Sequence, residues 1–77
     1  MLQYTKEELD KLLEERLNEL VTFAGGYVHL AKMLTVPSST TQGWVTRGRI
    51  SKAGAVKVSK NDRFKGEFSS KYLRPDL

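Results

Sequence analysis

The stretch Tyr27-Val28-His29-Leu30-Ala31-Lys32-Met33-Leu34-Thr35-Val36-Pro37-Ser38-Ser39-Thr40-Thr41-Gln42-Gly43-Trp44-Val45-Thr46 decides how this chain is read. Leu30, Ala31 and Leu34 recur at helical spacing and share one face of a short helix that starts near Tyr27. Thr35-Val36-Pro37 stops that helix, because proline disfavours helical geometry in the residue before it and donates no backbone hydrogen bond. Pro37 suits the first position of a second helix, with Ser38 and Ser39 adding hydroxyls near its start. That helix is expected to turn Thr41, Trp44 and Val45 inward and to fray at Arg47-Gly48-Arg49. Residues 27–46 therefore read as short helix, tight break, second helix. Ala31 falls where the two helices cross, and Val36 plugs the core from the break.

On the N-terminal side, Thr5 and Glu8 have the spacing of a capping box, which opens a helix from about Thr5 to Ala24. Leu9, Leu12, Leu13, Leu17, Leu20, Val21 and Ala24 form its apolar face. Gly25-Gly26 ends it, since glycine reaches the left-handed backbone that closes a helix. On the C-terminal side, Ser51 caps a fourth helix through about Asn61, which Gly54 weakens, and Val56-Lys57-Val58 also reads as a strand by its alternation. After Arg63 to Gly66, Ser69 caps a last short turn through Leu73 that Pro75 prevents from continuing. Phe64, Phe68 and Tyr72 are expected to cover the open end of the core.

A length of 77 residues excludes a second independent core, so a single domain over 1–77 is expected. Hydrophobic residues at 39% and charged residues at 29% describe a chain that folds. With no cysteine and one histidine, disulfide frameworks, zinc fingers and thiol catalysis are excluded. The sequence has neither a signal-peptide core nor a membrane-length apolar run, which points to a cytoplasmic protein. Charge is divided unevenly: residues 1–19 carry three bases against six acids, a net −3, while residues 20–77 carry ten bases against three acids, a net +7. A polyanion is therefore the leading partner class.

On these residues the 27–46 unit resembles the helix-turn-helix of the phage Cro and lambda-type repressor families. The likeness extends to Ala24-Gly25-Gly26 before it, Trp44 to Ile50 after it, and the closing Leu73-Arg74-Pro75-Asp76. These segments are similar to Cro-like regulators encoded in prophages, some of which act as antitoxin-type proteins. The likeness covers about residues 20 to 77, with the first helix matching only in kind. It implies an all-α, lambda repressor-like compact bundle of about five short helices. It further implies a sequence-specific double-stranded DNA-binding transcriptional regulator, bacterial or phage-encoded, acting as a repressor and homodimeric on a roughly palindromic operator. Two half-sites also answer the low selectivity of one unit. Thr35 stands where the family prefers glycine, so a left-handed backbone there costs about 1 kcal/mol or more. Pro37 stands where the family usually has a capping serine or glutamine.

Position by position, the resemblance places Ser38, Ser39, Gln42, Gly43 and Thr46 at the base-reading positions of the second helix. Gln42 is the best single candidate, because its amide pairs bidentately with the N6 and N7 edge of adenine in the major groove. Ser38 and Ser39 bond to bases or phosphates, or simply cap the helix. Gly43 costs its helix roughly 1 kcal/mol against alanine, accounted for equally by close approach to the groove and by tolerance. Tyr27, Arg47, Arg49 and Lys52 are the phosphate candidates. His29 reads as a surface or helix-contact residue and Trp44 as core.

The alternative is an antitoxin-type protein-interaction module that binds DNA secondarily, for which the acidic first helix would serve. An enzyme is disfavoured, since six of nine acids lie on that helix and the lone histidine has no evident carboxylate partner. No cofactor, metal or small-molecule substrate is expected. RNA readout of the stacking type lacks its aromatic strand motif. The Phe64 to Tyr72 segment is the expected dimer surface.

Overall fold

The computed structural model describes residues 4–64 and 66–77. Met1, Leu2, Gln3 and Lys65, included in the expected 1–77 domain, lie outside the described residues. Among the described residues five helices follow in order: α1 (Lys6–Ala24), α2 (Tyr27–Leu34), α3 (Ser38–Arg47), α4 (Lys52–Lys60) and α5 (Ser70–Leu73). There is no strand among the described residues, and Val56-Lys57-Val58 lies within α4.

The capping box is present. The Glu8 N–H donates to Thr5 Oγ1 and the Thr5 N–H donates to Glu8 Oε1, both at 3.1 Å. Those hydrogen bonds hold the Glu8 carboxyl below its ordinary pKa, since the Thr5 amide favours the ionised form. Ser51 and Ser69 cap α4 and α5, accepting from the Gly54 and Tyr72 amides at 3.0 Å each.

Three helices end by one device, a left-handed residue followed by a six-residue backbone closure. At α1 the residue is Gly25 (φ 90°), and the Gly26 N–H donates to the Val21 carbonyl at 2.9 Å. At α2 it is Thr35 (φ 59°), and the Val36 N–H donates to Ala31 at 3.0 Å. At α3 it is Gly48 (φ 74°), and the Arg49 N–H donates to Trp44 at 3.1 Å. The expected fraying at Arg47-Gly48-Arg49 is therefore corrected to a closed terminus. Pro37 is also corrected: with ψ at 144° it precedes α3 as its N-cap instead of forming its first residue, and its carbonyl accepts from Thr40 at 3.0 Å.

The core is built from Leu17 and Leu20 of α1, Leu30 and Leu34 of α2, Trp44 of α3, and Ile50, Ala55 and Val58 beyond it. α3 packs chiefly on α2. The fully buried Thr41 hydroxyl ties the two helices by donating to the Tyr27 carbonyl at 2.7 Å. On the other flank of α3, Gly54 admits Trp44 against α4; a Cβ at Gly54 would stand 2.5 Å from Trp44 Cζ2. What weakens α4 as an isolated helix is thus what lets it dock.

Phe64 and Phe68 lie inside this core, at 0% and 7% exposure. In the Phe64 to Tyr72 segment, the expected dimer surface, those two phenyl rings pack with each other and with Phe23, which is itself 50% exposed. Arg16 covers Tyr72, with its guanidinium carbon 4.1 Å from the ring centroid, and donates to the Tyr72 carbonyl at 2.8 Å. The C-terminus is stapled by Arg74, which donates to the Ile50 carbonyl at 2.8 Å and forks onto Asp76 at 2.9 and 2.7 Å.

Candidate nucleic-acid interface

The inward face of α3 is centred on Thr41 and Trp44, three residues apart and both buried. The helical period then sends Ser39, Gln42, Gly43 and Thr46 to the opposite side. Ser38, Ser39, Gln42 and Thr46 are all exposed, and Gly43 is half-buried. Four of the five residues expected to read bases, Ser38, Ser39, Gln42 and Thr46, are thus exposed polar side chains, and the fifth, Gly43, lies under Arg47. Val45 was expected inward, yet it is 42% exposed, because one residue past Trp44 the helix has already turned away from the core.

Among the described residues no side chain caps α3, so the Ser38 and Ser39 hydroxyls are not spent on its terminus. The first amides of the helix therefore present donors at its open end. The Thr46 hydroxyl donates to the Gln42 carbonyl one turn back at 2.9 Å. Over Gly43 lies the guanidinium of Arg47, whose Nη1 is 3.1 Å from where a Cβ would stand. The absent side chain at Gly43 leaves room for this cation beside the polar face.

The phosphate candidates are less uniformly placed. Arg47 is exposed beside the face, and Tyr27 is half-buried at the first turn of α2. Arg49 is engaged elsewhere: its Nη2 donates to Asp10 Oδ1 at 2.7 Å. Lys52 stands exposed at the start of α4, close enough to the C-terminal staple that its charge contributes to lowering the Asp76 pKa, behind the larger effects of Arg74. The structure therefore gathers Arg47 with the polar face but not Arg49 or Lys52.

One basic position escaped the sequence reading. Lys57 of α4 lines a cleft together with Val36 and Thr40, beside the N-terminal half of α3. The signal for it was the acid-free composition of Lys52-Ala53-Gly54-Ala55-Val56-Lys57-Val58-Ser59-Lys60, with Lys57 and Lys60 three apart. What the sequence alone lacked was the docking of α4 on α3 through Gly54 and Trp44. No helix among the described residues is long and apolar enough to cross a membrane. No family model, curated protein or solved structure matches this chain.

Proposed function

We propose that this chain is a sequence-specific double-stranded DNA-binding transcriptional regulator that inserts α3 into the major groove. The observation that carries the reading is the exposed polar face of Ser38, Ser39, Gln42 and Thr46 on a helix locked from behind by Thr41 and Trp44. A helix held in this way projects donors and acceptors without ordering cost, and the wide groove displays a distinct pattern for each base pair. Arg47 lies beside that face to hold a phosphate, and Tyr27 opens the preceding helix where backbone contacts are made in such units. Gln42 reads adenine; Ser38, Ser39 and Thr46 support it. A homodimer on a roughly palindromic operator, occluding a promoter in a bacterial or phage setting, supplies the selectivity one unit lacks.

The test is a selection of bound duplexes from a random library, followed by titration over a range of salt. The expected result is an enriched site with two related halves and affinity that falls steeply with salt. Absence of any enriched sequence would overturn the reading.

The protein-interaction alternative is favoured by one feature, the half-exposed Phe23 set among Glu15 and Glu19 on α1. Capture of a partner in salt that strips DNA, abolished by Phe23→Ser, would establish it.

A further inference from the structure

We infer that Lys57 and Lys60 of α4 form a second phosphate-binding ridge for the same duplex, alongside the N-terminal half of α3. The inference rests on the DNA-binding reading and names where the backbone of that duplex is held.

The argument begins with charge that is already neutralised. The exit of α3 was the expected phosphate clamp, yet it lies against the acidic first half of α1. Asp10 takes the Arg49 guanidinium at 2.7 Å, and the Glu14 carboxylate lies beside Gly48, 3.3 Å from its Cβ direction. A duplex approaching that end meets carboxylates as well as guanidinium groups.

The other flank of α3 has the opposite character. α4 starts just beyond the exit of α3, packs Gly54 on Trp44, passes Thr40 at Lys57, and ends where Asn61 Nδ2 donates to the Met33 carbonyl at 2.9 Å. It thereby returns to the break between α2 and α3. Lys57 stands beside the half of α3 whose first turns enter the groove, and Lys60 follows it along the same face of α4. Both are exposed, three apart on one face, and neither is in an ion pair among the described residues. No acid occurs within α4, while Asp62 and Arg63 just beyond it offset each other.

A structural role competes with this one: two lysines near the end of a helix favour its negative pole. The two roles differ in what they do to salt dependence. Each lysine that displaces a counterion from a phosphate contributes about 0.9 to the slope of log affinity against log salt. A lysine that only steadies its helix contributes nothing to that slope.

The experiment uses the full chain and the duplex enriched by selection, with a scrambled duplex beside it. Lys57→Gln, Lys60→Gln and the double variant are titrated over a range of salt, with thermal unfolding measured on each. The expected result is a slope reduced by about 0.9 per substitution, and affinity lowered about five- to tenfold per lysine near 0.1 M salt. The loss is expected to be equal on both duplexes, so the selectivity ratio stays. A double variant that remains folded and keeps the wild-type slope on the enriched duplex overturns the ridge while leaving the DNA-binding reading intact. Loss confined to the enriched duplex also overturns it, since that marks base readout. A wild-type chain that binds neither duplex overturns both.

Discussion

The Arg49 guanidinium donates to the Asp10 carboxylate across 2.7 Å, linking the exit of α3 to the first half of α1 with both side chains about 40% exposed. An exposed pair of this kind contributes under about 1 kcal/mol to stability. Its larger effect is to withhold a guanidinium from any phosphate nearby. Asp10→Asn is therefore expected to leave the unfolding midpoint nearly unchanged, while DNA affinity rises and the salt slope steepens by about 0.9 as Arg49 takes up a phosphate. Titrations at several salt concentrations check this. An unchanged slope would mean that Arg49 does not reach the duplex even when released.

Thr35 closes α2 with φ at 59°, the single non-glycine residue of positive φ among the described residues. A β-branched residue pays about 1–2 kcal/mol for that conformation, and its side chain is exposed, so little packing offsets the strain. Thr35→Gly removes the strain but adds entropy to the unfolded chain. The balance is a stabilisation of about 1 kcal/mol, or about 4–8 °C in Tm for a domain of this size. Thermal unfolding of the variant decides it; a lowered Tm would show that the Thr35 side chain contributes more than its backbone costs.

Two helix-interior glycines are expected to respond oppositely to alanine. At Gly43 the added methyl meets only the far end of the Arg47 side chain, at 3.1 Å, and that end swings away. Gly43→Ala should stabilise by about 0.5–1 kcal/mol through helix propensity. At Gly54 the methyl would sit 2.5 Å from the indole of Trp44, which is itself buried. Gly54→Ala should destabilise by about 1–3 kcal/mol in spite of the same propensity gain. Chemical denaturation of the two variants reads the contrast directly, and stabilisation at both positions would show that Trp44 has room to move.

The C-terminal staple makes stability depend on acid pH. The hydrogen bonds from Arg74 hold the Asp76 carboxyl below its ordinary pKa, more than its partial burial raises it. Because the folded value lies below the unfolded value of about 3.9, the contribution is fully present above that pH and is lost as pH falls through the folded value. Asp76→Asn should cost about 2 kcal/mol at neutral pH, the order of one charge-assisted hydrogen bond. The gap between wild type and variant should close below about pH 4. Denaturation midpoints measured for both proteins between pH 7 and pH 2 check the sign; a constant gap would assign the cost to packing.

Helix order was legible in the sequence because helix termini are local events. Thr5 with Glu8, Ser51 and Ser69 each cap a helix through residues three positions away, and Gly25 closes α1 within its own turn. The polar face of α3 was legible for the same reason, since Thr41 and Trp44 identify the opposite side by spacing. What escaped depends on partners distant in the chain. Arg49 meets Asp10 across 39 positions, and Arg74 meets the Ile50 carbonyl across 24. Lys57 comes beside Val36 and Thr40 only through the docking of Gly54 on Trp44. Val45 lies at the border of the helix face, where one step of the helix decides between core and solvent.

Gln42 carries the sharpest consequence of inserting α3 into a groove. Its side chain is exposed and its backbone carbonyl, not its amide group, accepts the Thr46 hydroxyl, so truncation breaks no side-chain hydrogen bond among the described residues. Alanine is also the better helix former, and Gln42→Ala should fold at least as stably as wild type. On DNA the variant loses a bidentate pair, which is worth about 1–3 kcal/mol of discrimination at one base pair. The expected outcome is a relaxed preference for adenine at one position in each half-site, with the salt slope unchanged because no phosphate contact is removed. Repeating the selection with the variant and comparing the two enriched sites measures this. Uniform weakening on every sequence would place Gln42 against the backbone, and an unaltered site would mean that this face of α3 does not read the duplex.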